Sequence, residues 1–182
     1  MKLMKRAILI SIILATTMTL AWAQKGQPKA DQSREAICKN VPCRPAKTIK
    51  LKISKTEIAE FDFPKGPFVA DGFINVLVGE ELNVEFEDEG NNLAKARYVD
   101  KIAVPEKTVT FKLEQTDEGT ILSVKNPFAQ NIIYDCLIQH YKAKGLEQTS
   151  IMPVPKGLLG IELWPYPITQ VVIKNVRFAD SK

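Results

Sequence analysis

The sequence predicts an all-β protein, a single antiparallel β-sandwich of about ten short strands. Three observations carry that expectation. Runs of alternating apolar and polar residues recur at short intervals, as half-buried strands require. Clusters of Gly, Pro, Asn and Asp separate the runs where a sheet must reverse. No apolar period of 3.6 extends beyond two turns, so the pattern speaks for a sandwich or barrel rather than packed helices.

Before the strands stands an export leader. Lys2, Lys5 and Arg6 form a positive start, the run from Ala7 to Leu20 carries no charge, and Ala21-Trp22-Ala23 gives the small-x-small pattern of a cleavage site. A run of about fourteen residues is short for crossing roughly 30 Å of hydrocarbon. The reading is therefore a signal peptide over 1–23 and a mature chain from Gln24, soluble, periplasmic or secreted, with no transmembrane segment after cleavage. No Cys stands at the cleavage point, which speaks against a lipid anchor. Removing 23 of the 182 residues leaves 159, the size of one domain.

Residues 24–46 are polar, contain Pro28, Pro42 and Pro45, and show neither strand nor helix period, so they read as a flexible basic arm, ordered only where a disulfide holds it. The sandwich is expected over 47–182. Its first strand, 48–54, sets Ile49, Leu51 and Ile53 on one face and Lys50 and Lys52 on the other. Further strands are expected at 58–63, 73–78, 82–87, 96–104, 108–115, 120–126, 132–141, 158–164 and 168–178. Pro64-Lys65-Gly66-Pro67, Gly79, Gly90-Asn91-Asn92, Asp117-Glu118-Gly119 and Asn126-Pro127 supply reversals between them. Residues 108–126 read as a hairpin, with Val109, Phe111 and Leu113 alternating on its first limb. One short helix competes at 91–101, where Leu93, Ala94, Ala96 and Arg97 fall near helical spacing.

Segment 132–141 is apolar on both faces, as in a central strand. Within it, Tyr134-Asp135-Cys136 resembles the strand of immunoglobulin-type domains that places Tyr two residues before a buried Cys. The resemblance covers three residues and lacks the expected earlier Trp; it implies an immunoglobulin-like sandwich and nothing about activity.

Charge is near balance in the mature chain, with 22 basic residues against 21 acidic, which gives no general argument for nucleic acid. Its distribution is uneven. Residues 24–56 carry nine Lys/Arg against Asp31 and Glu35, while residues 57–90 carry ten acids against Lys65. The arm either docks on an anionic surface or neutralises the acidic segment. Cys38, Cys43 and Cys136 cannot all pair within one chain; loop closure favours Cys38 with Cys43, a spacing unlike the redox C-x-x-C.

Little catalytic chemistry is legible. A single His, His140, excludes a zinc site built on two or three imidazoles. A nucleophile with one His is permitted, but along a strand Cys136 and His140 stand about 13 Å apart. Glu85, Glu87, Asp88 and Glu89 before Gly90 could gather oxygen ligands for calcium, yet they lack the EF-hand spacing and fit a solvated hairpin end. Lys47, Lys50, Lys52 and Lys55 could hold an anion or blunt an edge strand, and no aromatic interleaves with them as a nucleic-acid platform needs. Trp164-Pro165-Tyr166-Pro167 holds two large rings with little freedom to lose, as a recognition surface would; its plain alternative is a linker whose rings cap the core.

The candidate partner-binding residues are thus Trp164, Tyr166, Lys50 and Lys52, and the disulfide candidates Cys38 and Cys43; no catalytic residue, metal or cofactor is assigned. The expected function is an exported, non-catalytic interaction protein of the bacterial cell envelope, recognising a protein or envelope component and no nucleic acid. Its alternatives are a periplasmic hydrolase or thiol enzyme using His140 or Cys136, and a structural subunit of an envelope assembly.

Overall fold

The structure, a computed structural model, describes residues 30–90 and 92–179; the leader and residues 24–29 of the arm lie outside the described residues. A helix, α1 (Ala30–Ile37), leads into strands β1 (Cys43–Arg44), β2 (Lys47–Lys52), β3 (Ile58–Phe63), β4 (Gly66–Pro67), β5 (Val69–Ala70), β6 (Phe73–Leu77), β7 (Glu80–Glu89) and β8 (Asn92–Val99). After a short 3-10 turn come β9 (Thr108–Gln115), β10 (Thr120–Lys125), β11 (Ile132–His140), β12 (Glu147–Thr149), β13 (Leu159–Trp164) and β14 (Ile168–Phe178). All pairings are antiparallel.

Ten strands form one sheet in the order β12-β11-β14-β8-β7-β9-β10-β13, with β6 and β5 added beside β14. Strand β14 meets β8 at a single position, Arg177 opposite Asn92, so the sheet turns there and folds back on itself. The two halves face each other across the core, where the Phe111 ring of β9 meets the Tyr134 ring of β11 edge-on at 6.2 Å. This arrangement is consistent with a β-sandwich. Inward positions of every long strand fill the core, among them Ile74, Val84, Phe111, Leu122, Cys136 and Ile173.

Segment 92–99 corrects one expectation: it is strand, not helix. Its pairing runs from Asn83 opposite Val99 to Glu89 opposite Asn92. A bulge, with Lys95 at φ 49°, breaks the register. The ladder with β7 and the burial of Leu93 hold it extended, and cross-strand charge adds to them, with Arg97 2.9 Å from Glu85 and Lys95 2.6 Å from Glu87. These partners are remote in sequence and escape a local helical count. The same pairs occupy the acidic cluster at the end of β7.

Cys38 and Cys43 are joined by a disulfide, and Cys136 is a free, buried thiol. The Tyr134 hydroxyl is buried without a hydrogen-bond partner among the described residues. The Tyr-x-Cys strand therefore has neither an inter-sheet disulfide nor the hydroxyl bond of a tyrosine corner.

The arm is pinned beyond the disulfide. Arg44 is only 3% exposed; its guanidinium donates to the Asn75 carbonyl, lies 4.9 Å over the Phe68 ring, and sets Nε 3.0 Å from Glu80 Oε1. That last approach lacks hydrogen-bond alignment, so its attraction is that of opposed charges. Burial lowers the Arg44 pKa, and the Glu80 charge works against that shift. Lys47 stands 2.8 Å from the same carboxylate oxygen and Lys50 pairs with Glu60 at 2.9 Å. Basic and acidic segments thus meet through Arg44, Lys47 and Lys50.

Candidate functional site

The hairpin β2–β3 forms a sheet of its own. Two-stranded sheets are marginal alone, and this one is fastened to the rest by buried Ile49 and Leu51, by the Lys47–Glu80 pair, and at its far end by Gln115 and Asp117. The Gln115 carboxamide, at the end of β9, donates to the Lys52 carbonyl at 2.8 Å and accepts from the Lys52 N–H at 2.8 Å. It copies the bonding of a neighbouring strand. Lys52 Nζ then reaches Asp117 at 2.7 Å; that hydrogen bond, and the ammonium charge behind it, hold the Asp117 carboxyl below its usual range.

A second wall comes from the chain after β13. Thr120 Oγ1 donates to the Tyr166 carbonyl at 3.0 Å and accepts from the Ile168 N–H at 3.0 Å, which fixes the Pro165-Tyr166-Pro167 bend. Gly119, at φ 148°, lies against this bend so closely that a Cβ would stand 2.1 Å from the Trp164 carbonyl oxygen. Only glycine fits this contact. Between the hairpin, the 116–119 turn and the bend lies an open cleft of about 670 Å³, lined in part by Lys52, Lys55, Gln115, Asp117 and Tyr166.

The Tyr166 ring, on a residue 36% exposed, continues into an aromatic band. It meets His140 edge-on at 5.3 Å, His140 lies 4.6 Å from Tyr141, and Lys142 Nζ stands 5.2 Å from the Tyr141 ring centre. The cleft thus sets two lysines, Lys52 and Lys55, and two acids, Asp117 and Glu118, beside Tyr166, with Lys52 already bonded to Asp117; it suits a ligand that offers polar groups of both kinds and an apolar face.

Of the four residues proposed from sequence, the structure brings Lys52 and Tyr166 to one cleft. Lys50 points to Glu60 and does not line it. Trp164 lies in the core, 6% exposed, with its indole N–H donating to Thr149 Oγ1 at 3.3 Å. Gln115 and Asp117 are additions that local pattern could not supply. The only signal near them was the turn Asp117-Glu118-Gly119.

Comparison with known proteins brings no match, whether to a protein-family model, a curated protein or a solved structure. Among the described residues no helix is long and apolar enough to cross a membrane. The site must be read from its own chemistry.

That chemistry gives Cys136 no nucleophilic character. Burial, and after it the nearby charge of Glu162, push its thiol up to about 12, so almost none is thiolate at neutral pH. His140 Nδ1 accepts from the Lys142 N–H at 3.2 Å, and its ring lies tilted against Tyr141 and edge-on to Tyr166. In the oxidised protein, a thiol reagent at pH 8 is expected to label no residue within minutes and one residue, Cys136, after unfolding in urea, read by intact mass. Rapid labelling of the native chain would place the thiol within reach of solvent.

Proposed function

We propose that this chain is an exported, non-catalytic interaction protein of the bacterial cell envelope, periplasmic or secreted, that captures a protein or other envelope component in the cleft between the β2–β3 hairpin and the Tyr166 bend. The observation that carries the reading is the cleft's composition, where Lys52 and Lys55, interleaved with Asp117 and Glu118, lie beside Tyr166. The leader-like first 23 residues support the address. The Cys38–Cys43 disulfide is consistent with it, since such bonds persist outside the cytoplasm.

The test is crosslinking in the intact cell. With a photo-reactive benzoylphenylalanine in place of Tyr166, illumination is expected to give a discrete adduct that the same group at exposed Glu106 does not give. Reversing charge at Lys52 and Lys55 together is expected to cut the adduct about tenfold, as for charges that steer association. Equal adducts at both positions, or none at either, would overturn the reading.

A further inference from the structure

Strand β13 ends the ten-stranded sheet: it pairs with β10 on one side only. Its far edge makes no backbone hydrogen bond among the described residues. Proteins guard such edges with Lys, Pro or very short strands. The sheet's other ends are guarded, since β12 has three residues and β5 two. Strand β13 has six, and its outward positions are Leu159, Ile161 and Leu163, respectively 55%, 62% and 49% exposed. The inward positions are taken: Gly160 lies against the Val154 side chain, Glu162 accepts from the Met152 N–H at 2.9 Å, and Trp164 is buried.

We propose that β13 pairs antiparallel with β13 of a second copy, about a two-fold axis at Ile161, forming a continuous sheet across the dimer. The occupant follows from the order of residues. The outward stripe Leu159-x-Ile161-x-Leu163 reads nearly the same in both directions, so a two-fold axis at Ile161 sets Ile161 opposite itself and each Leu159 opposite the other copy's Leu163. Facing apolar pairs of this kind stabilise a ladder. On the inner face the same register sets Glu162 opposite Gly160. Shifting the axis to Glu162 would place two carboxylates face to face, and shifting it to Gly160 would leave Leu163 beyond the matched stripe. Isologous pairing of one patch with itself is the commonest route to a homodimer. With neighbouring Leu158, which is also exposed, the stripe forms one apolar patch along the edge. A standard complex buries roughly 800 Å² per partner, more than one pair of six-residue edges supplies, so the dimer is expected to form only at high protein concentration.

Sedimentation velocity of the exported, processed protein is expected to show monomer giving way to dimer between about 1 and 200 μM. Ile161→Lys is expected to remain monomeric throughout that range while keeping the melting temperature of the parent, because the position faces solvent in the monomer. Ile161→Cys is expected to crosslink to itself through a short bismaleimide, whereas Leu159→Cys alone is not, since its partner is Leu163. A parent that stays monomeric at 200 μM overturns the proposal. So does a dimer that survives Ile161→Lys or crosslinks equally through Leu159→Cys. The cleft's Pro165–Pro167 wall follows β13 directly, but no residue of β13 lines the cleft, so Ile161→Lys is expected to leave the Tyr166 crosslink unchanged and the two readings fail separately.

Discussion

Replacing Arg44 with alanine is expected to lower the free energy of unfolding by about 3 kcal/mol, the lower end of what breaking a buried ion pair costs. The value sits at that end because Glu80 keeps two partners, Lys47 at 2.8 Å and the Leu77 N–H at 2.9 Å. The loss has three parts: the charge opposite Glu80, the bond to the Asn75 carbonyl, and the contact with Phe68, which itself stacks on Tyr98 at 4.1 Å. Arg44→Lys is expected to recover less than half of it, since a lysine keeps the charge but lacks the planar fork that serves a carboxylate and a ring together. Urea unfolding of the oxidised proteins measures both. A loss below about 1 kcal/mol would mean that the pair behaves as an exposed one.

Trp164→Ala is expected to cost about 3–5 kcal/mol, as removal of a large ring from a packed core does. Tyr166→Ala, two residues on, is expected to stay within about 1 kcal/mol of the parent. The contrast separates two rings that the sequence presents as a pair. Trp164 closes the inner face of β13, and its truncation would leave Thr149 without the indole N–H. Tyr166 lies beyond the strand, past Pro165, with its ring against His140 at the cleft. Thermal melts of the two variants decide the matter, and similar small shifts for both would place Trp164 at the surface.

Why Trp164 and Tyr166 part ways illustrates what sequence could convey here. Alternation located β3, β9 and β14 to the residue, because each is a long run bounded by turn formers. It could not locate β1, β4 and β5, which have two residues each and carry no period. Nor did it find α1, whose eight largely polar residues have no apolar stripe. In β13 the alternation is plain, yet the usual inference, apolar face inward, is reversed. Trp164 and Gly160 claim the inside, the latter because a side chain there would strike Val154, and the leucines are left in solvent. The cleft was half legible: Lys52 and Tyr166 stand out by type and setting. Their meeting depends on Gln115, 63 residues from Lys52, and on Asp117, 65 away. Contacts at that separation are fixed by topology and leave no local trace.

The fastening of the β2–β3 hairpin through Gln115 gives the cleft a thermodynamic character of its own. One bank is the ten-stranded sheet, and the other is a two-stranded hairpin held to it by Ile49, Leu51 and the Gln115 bonds. Whatever spans both banks can bind only while they are joined, so occupancy and closure of the hairpin raise each other by the same factor. The groove would then register its ligand as a gain in the cohesion of the molecule, with no change of shape required.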